Sequence, residues 1–89
     1  MGMQVQDHIL VGIHIHNRLE QAVDVQRLLT EYGSQIKTRV GLHETQPEGV
    51  AGNGLLVLET IGDPAGIEEL IARLNALDGV EADKMVFAH

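Results

Sequence analysis

The stretch that decides the fold is HILVGIHIH, residues 8–16. The odd-numbered positions, one parity of the stretch, hold the β-branched residues Ile9, Val11, Ile13 and Ile15. The even-numbered positions, the other parity, hold three histidines, one leucine and one glycine. Alternation with period two is typical of a strand with one buried face and one more polar face. The sequence therefore predicts a half-buried first strand over residues 8–16.

Two helices follow at intervals along the chain. Asn17 is suited to an N-cap and Gly33 to a left-handed stop, which together predict a helix over residues 17–32. Asp63-Pro64 is a start signal for the second helix, and Asp78-Gly79 is its stop. Apolar residues at helical spacing lie between these signals: Ile67, Leu70, Ile71, Leu74 and Leu77.

Three further strands are predicted, over residues 36–43, 55–60 and 80–87. The first of these has a polar parity that we expect to face away from the helices, consisting of Lys37, Arg39, Gly41 and His43. The strand over 55–60 is apolar on both parities, which indicates a central position in the sheet. Residues 44–53 contain one proline and two glycines and are expected to form a surface loop, with a mobile lid as the alternative.

This order, β-α-β-β-α-β, predicts an α+β fold of the ferredoxin-like kind. Right-handed crossovers place both helices on one face of a four-stranded antiparallel sheet with strand order 4-1-3-2. With 89 residues, the chain has the length of one domain. We assign residues 1–7 to a flexible N-terminal leader and residues 8–89 to the domain.

The sheet face without helices carries Leu10 near its middle, together with apolar residues of the third strand. Apolar side chains in such a position favour coverage by another subunit. We therefore expect a homo-oligomer, either a dimer or a tetramer.

The composition excludes several classes of function. The 13 acidic and 6 basic side chains give a net charge of −7, which argues against nucleic-acid binding. Cysteine is absent, so disulfides, thiolate nucleophiles and cysteine-held metal sites are excluded. No apolar run approaches the ~20 residues of a membrane span, and no signal peptide is visible. These features predict a cytoplasmic protein with no membrane partner.

The sequence also predicts that the chain is not an enzyme. Ser34 is the only serine, and no histidine and carboxylate are placed to activate it. Glycine-rich phosphate loops are missing, because Gly49, Gly52 and Gly54 lie between two strands. One tyrosine and one phenylalanine supply too little aromatic lining for a ferredoxin-like monooxygenase.

Two groups of residues are candidate binding sites. His14 and His16 point the same way, about 7 Å apart along the strand, and are candidate ligands for Ni²⁺ or Zn²⁺. The alternative is that they are polar residues on a partly open sheet face or at an interface. Asn17 and Arg18 open the first helix and, with Arg39, are candidates for binding an anionic effector, although an ordinary helix cap explains the first two equally well.

The sequence resembles the small ACT-like regulators of the iron-only hydrogenase system over His8 to His89. The residues that carry this resemblance are Ile13-His14-Ile15-His16-Asn17-Arg18, Ala22, Val25, Leu28-Leu29, Tyr32-Gly33, Ile36, Arg39-Val40-Gly41-Leu42, Leu55-Leu56-Val57-Leu58, Gly62-Asp63, Leu74, Leu77, Gly79-Val80 and Met85.

This resemblance implies a stand-alone regulatory domain, similar to ACT domains and to the C-terminal domain of the nickel-responsive repressor. Such domains form dimers or tetramers and bind small effectors at subunit boundaries. The turn at Asn17 lacks the glycine usual in amino-acid-binding ACT domains. The repressor's nickel ligands include a cysteine and a His-x-His on the second strand, so none is transferred here. The expected function is that of an oligomeric sensor or adaptor, with a histidine-based divalent-metal module as the alternative.

Overall fold

A computed structural model describes residues 7–16, 18–42 and 54–88 of the chain. Within them lie four strands, two α-helices and one 3-10 turn: β1 (His8–Ile15), α1 (Arg18–Glu31), the 3-10 turn (Gly33–Gln35), β2 (Ile36–Leu42), β3 (Gly54–Thr60), α2 (Pro64–Asn75) and β4 (Val80–Phe87). The predicted element order is confirmed.

The four strands form one antiparallel sheet in the order β2-β3-β1-β4. This is the predicted order viewed from the opposite edge. β1 pairs with β4 along its whole length, from His8 opposite Phe87 to Ile15 opposite Val80. β3 lies between β2 and β1, so its predicted central position is also confirmed.

The hydrophobic core lies between the sheet and the two helices. The β-branched parity of β1 is buried there, as the alternation in residues 8–16 predicts. The other buried residues of the core come from the rest of the domain: Val25, Leu28, Leu29, Tyr32, Leu58, Ile67, Leu70, Leu74 and Val80. Both helices therefore cover the same face of the sheet, and we call the other face the open face.

Helix α2 begins at the predicted start signal, Asp63-Pro64, and ends at Asn75, shortly before the predicted stop at Asp78-Gly79. The Asp63 side chain accepts a hydrogen bond from the Ala65 peptide nitrogen at 3.0 Å, and Pro64 is the first helical residue. Past the helix, Gly79 has φ of +77°, a left-handed conformation that glycine adopts readily. Of the helices in the described residues, none is both long and apolar enough to cross a membrane.

The predicted left-handed stop at Gly33 is wrong. Within the described residues only Gly62 and Gly79 have a positive φ. Helix α1 ends at Glu31, and the chain continues through Tyr32 into the 3-10 turn, where the Gln35 peptide nitrogen donates to the Tyr32 carbonyl at 2.9 Å. A 3-10 turn tightens the end of the helix without requiring a left-handed residue.

Tyr32, the residue after α1, links this helix to α2. Its hydroxyl donates to Glu69 Oε1 at 2.8 Å and accepts from Arg73 Nη1 at 3.2 Å. Arg73 also pairs with Glu31 at the end of α1. The Tyr32 hydroxyl and Glu31 hold the pKa of Arg73 above its ordinary value. This cluster fastens α1 to α2 on the side remote from the open face.

The prediction that Arg39 faces away from the helices is also wrong. Arg39 pairs with Leu58, which is fully buried on the helix side, and its guanidinium donates to Gln26 Oε1 of α1 at 2.7 Å. The register of β2 shifts between Ile36 and Thr38. One extra residue in a strand moves every later side chain to the other face. The open face therefore receives Val40 in place of Arg39.

Several predicted features lie outside the described residues. These are the leader up to residue 6, the N-cap Asn17, His43 and the loop over 44–53.

Candidate functional site

The open face is built from the parity of each strand that points away from the helices. Three of its rows run across β3, β1 and β4: Glu59–Leu10–Met85, Val57–Gly12–Asp83 and Leu55–His14–Glu81. Because the strands are antiparallel, the end of β1 lies beside the beginnings of β3 and β4. Residues far apart in sequence therefore share one surface.

An apolar band crosses the open face obliquely from β2 to β4. It consists of Val40, Leu55, Val57, Leu10, Met85 and Phe87. Met85 is 57% exposed and Phe87 is 52% exposed, while Leu10 and Val57 at the centre are half-buried. If another subunit covers this face, as the sequence predicts, it would contact this band of apolar side chains.

A shallow depression of about 340 Å³ lies near the middle of the open face. It forms beside Gly12, where β1 has no side chain to fill the space between Val57 and Asp83. A Cβ atom added at Gly12 would have no atom within 4 Å. The face is therefore indented at its centre.

A cluster of three potential metal ligands lies at one end of the open face. The imidazoles of His14 and His16 have their centroids 4.5 Å apart and meet edge to face. His16 Nε2 donates to Glu81 Oε1 at 2.7 Å. One ligand atom from each of the three residues lies within 4.8 Å of the other two. We call these three residues the His–Glu cluster.

Hydrogen bonds between β1 and β4 hold the His–Glu cluster in place. Glu81 is the register partner of His14, and the His16 peptide nitrogen donates to the Gly79 carbonyl at 2.8 Å. The hydrogen bond from His16 lowers the pKa of Glu81, and the electrostatic influence of the His16 and His14 rings adds to this shift. The shift favours the ionised form of Glu81.

The structure brings together some of the predicted site residues and separates others. His14 and His16 lie together, as predicted. The other histidine of β1, His8, lies on the same face but six residues before His14, which is about 20 Å along the strand. Arg39 lies on the helix side of the sheet and not on the open face. Asn17 and the side chain of Arg18 lie outside the described residues, so their role stays a prediction.

Glu81 is the potential ligand that the sequence-based prediction did not name. A signal was available, since antiparallel pairing of the first and last strands places the beginning of the last strand beside His16. Val80 belongs to the buried parity, and its neighbour Glu81 must then face the same way as His14. The alternation of β4 together with the 4-1-3-2 order was sufficient to find it.

The strand order and the helices on one face define a ferredoxin-like α+β domain. A solved structure with this fold is that of uncharacterized protein TM1266 from Thermotoga maritima, with a TM-score of 0.75 and 21% sequence identity. The match covers 91% of this chain and 98% of that one. No family model matches the sequence, and no curated protein does. This similarity establishes the fold.

Proposed function

We propose that this chain is a non-enzymatic regulatory domain, a sensor or adaptor, that acts as a homo-oligomer and binds a small effector at a subunit boundary. The observation that carries the proposal is the apolar band on the open face. The band lies on the side of the sheet that the chain's own described helices leave uncovered.

The physical argument is the cost of keeping the apolar band in water. Each square ångström of apolar surface removed from water contributes about 25 cal/mol, and the band has six side chains available. Monomeric proteins rarely expose large contiguous apolar patches without a binding role. A second sheet packed about 10 Å away would remove the band from water. A two-fold axis achieves this with one self-complementary surface.

The regulatory part of the proposal rests on the resemblance to the small ACT-like regulators of the iron-only hydrogenase system. A net charge of −7 favours a small-molecule or protein partner over nucleic acid. Cytoplasmic localisation belongs to the same proposal. Regulation would follow from an effector that binds one association state more tightly than another.

The test is the mass of the protein in solution, measured by light scattering and native mass spectrometry. We expect a dimer or tetramer at micromolar concentration. Leu55→Lys combined with Met85→Lys places two charges in the apolar band and should yield monomers. Val23→Lys is the matched control, because Val23 is 73% exposed on α1, away from the open face.

Three results would contradict this proposal. One is a monomeric parent protein. Another is a Leu55→Lys/Met85→Lys variant that keeps the parent's mass while circular dichroism shows an intact fold. A control variant that dissociates as readily as the double variant would move the interface to the helix layer, against the proposal.

A further inference from the structure

We propose that the His–Glu cluster of His14, His16 and Glu81 binds a divalent transition-metal ion, and that this ion is the effector of the regulatory domain. The binding itself stands on the geometry of the three side chains. Its regulatory role rests on the proposed function above.

The backbone presents all three ligands to one point. His14 lies near the end of β1 and His16 directly follows the strand, and their imidazole rings lie together with centroids 4.5 Å apart. Glu81 is the register partner of His14 on β4. The hydrogen bond from the His16 peptide nitrogen to the Gly79 carbonyl fixes the two strand ends together. Ligands on paired strands are held more rigidly than ligands on loops.

The distances require only small side-chain movements. Metal–nitrogen and metal–oxygen bonds of about 2.0–2.2 Å place neighbouring ligand atoms roughly 3 to 3.5 Å apart. His16 Nε2 and Glu81 Oε1 are 2.7 Å apart and would separate slightly, while the widest pair, at up to 4.8 Å, would close by about 1.3–1.8 Å. The His16 and Glu81 side chains are 52% and 72% exposed, so rotation is unobstructed.

The donor atoms select the class of metal. Two imidazole nitrogens and one carboxylate oxygen suit Zn²⁺, Ni²⁺ and Cu²⁺, whereas Mg²⁺ and Ca²⁺ prefer oxygen ligands only. Three protein ligands leave coordination positions for water or a small molecule. Asp83 lies one row away on the open face, and the chain's charge of −7 also favours a cation over an anion.

The His–Glu cluster adjoins the apolar band. His14 is the register partner of Leu55, which belongs to the band. A bound ion would replace the His16–Glu81 hydrogen bond and fix three side chains at the margin of the proposed interface. Binding at this margin shifts the association equilibrium whenever the ion has different affinities for the two association states.

Isothermal titration calorimetry with Ni²⁺ and Zn²⁺ tests the binding, with Mg²⁺ as the comparison ion. We expect one Ni²⁺ or Zn²⁺ per chain and no detectable heat with Mg²⁺. His14→Ala, His16→Ala and Glu81→Gln should each weaken Ni²⁺ binding by at least ~10-fold, since loss of even an outer-shell partner of a metal ligand has an effect of that size. His8→Ala and Glu59→Gln are matched controls on the same face and should bind as the parent does.

Electron paramagnetic resonance of bound Cu²⁺ gives a second readout that does not depend on stability. The parent should show coupling to two imidazole nitrogens, and His14→Ala to one. The inference is overturned if the parent binds neither Ni²⁺ nor Zn²⁺. It is equally overturned if Glu81→Gln binds Ni²⁺ like the parent, or if His8→Ala weakens binding as much as His14→Ala.

The regulatory role is tested by measuring mass in EDTA and again with one equivalent of Ni²⁺. We expect the distribution of association states of the parent to change and that of His14→Ala/His16→Ala to stay constant. An oligomer that binds Ni²⁺ without any change in mass or in dissociation constant overturns the effector role. An oligomer that binds neither Ni²⁺ nor Zn²⁺ overturns the metal site and leaves the proposed function intact. A monomer that binds Ni²⁺ overturns the proposed function, and the effector role with it, and leaves the metal site intact.

Discussion

The two faces of the sheet are made by the same strands and differ in almost every physical respect. On the helix side, Val11 and Ile13 of β1 are fully buried. On the open face of the same strand, Gly12 and His14 are only partly buried. Within this one strand, the side chains toward the helices stabilise the fold, and those on the open face remain accessible to a binding partner.

The helix side also satisfies its polar groups, as a buried face must. Thr60 is buried, and its hydroxyl donates to the Ile9 carbonyl at 2.8 Å. Among the described residues, every buried side-chain nitrogen and oxygen has a hydrogen-bond partner. An unpaired polar group there would cost about 1–3 kcal/mol, whereas water can satisfy such a group on the open face.

The largest expected difference between the faces comes from truncating one leucine on each side of β3. Leu58→Ala removes a fully buried side chain and should lower the free energy of unfolding by about 2–5 kcal/mol. Leu55→Ala makes the same change on the open face, where Leu55 is 41% exposed, and should cost well under half as much in the monomer. Urea denaturation at low protein concentration measures both, and equal losses would contradict the comparison.

A smaller effect is expected from the polar cluster between the helices. Tyr32→Phe keeps the buried ring and removes the hydroxyl that contacts Glu69 and Arg73. We expect a loss of about 0.5–1.5 kcal/mol in unfolding free energy, the usual net value of a hydrogen bond. Glu81→Gln, on the exposed hydrogen bond of the open face, should change stability far less. If the order of these two variants is reversed in thermal denaturation, the assignment of stability to the helix side fails.

The smallest expected effect is a titration on the open face. The pKa of Glu81 is below its ordinary value because of His16. Its folded-state pKa is thus lower than its unfolded-state pKa, so the stabilisation is present above the unfolded value and disappears as the pH falls through the folded value. In metal-free protein, carbon-13 NMR of the Glu81 carboxyl should show this lowered pKa. His16→Ala should return it toward the ordinary range, and an unchanged pKa in that variant would contradict the contact.

Much of the fold was predictable because local patterns and topology agree. The alternation around Ile13 in β1 and the helical stripe around Leu70 in α2 each identify an element and its buried face. Right-handed crossovers then leave the strand order 4-1-3-2, which the structure confirms.

The errors occurred where a local irregularity replaces a regular pattern. The alternation of β2 appears regular in the sequence. No residue near Lys37 signals the register shift that moves Arg39 to the helix side. Similarly, Gly33 is compatible with a left-handed stop and with a 3-10 turn, and the sequence does not distinguish them. Both outcomes depend on how β2 packs against β3 and α1, which is tertiary information.

The candidate site was half predictable for a related reason. His14 and His16 are neighbours in sequence, so their common direction follows from the strand period alone. Glu81 joins them only through the pairing of β1 with β4, 65 residues beyond His16 in the chain. A site assembled from two strands becomes visible only when strand order and register are considered together.

The absence of a side chain at Gly12 has a practical consequence. A Cβ atom added there meets nothing within 4 Å, its φ is not positive, and the chain contains no cysteine. Gly12→Cys would therefore introduce a unique thiol at the centre of the sheet surface, where a fluorophore or nitroxide can be attached selectively. Such a label would report directly, through its emission or its mobility, whenever another molecule settles over that surface.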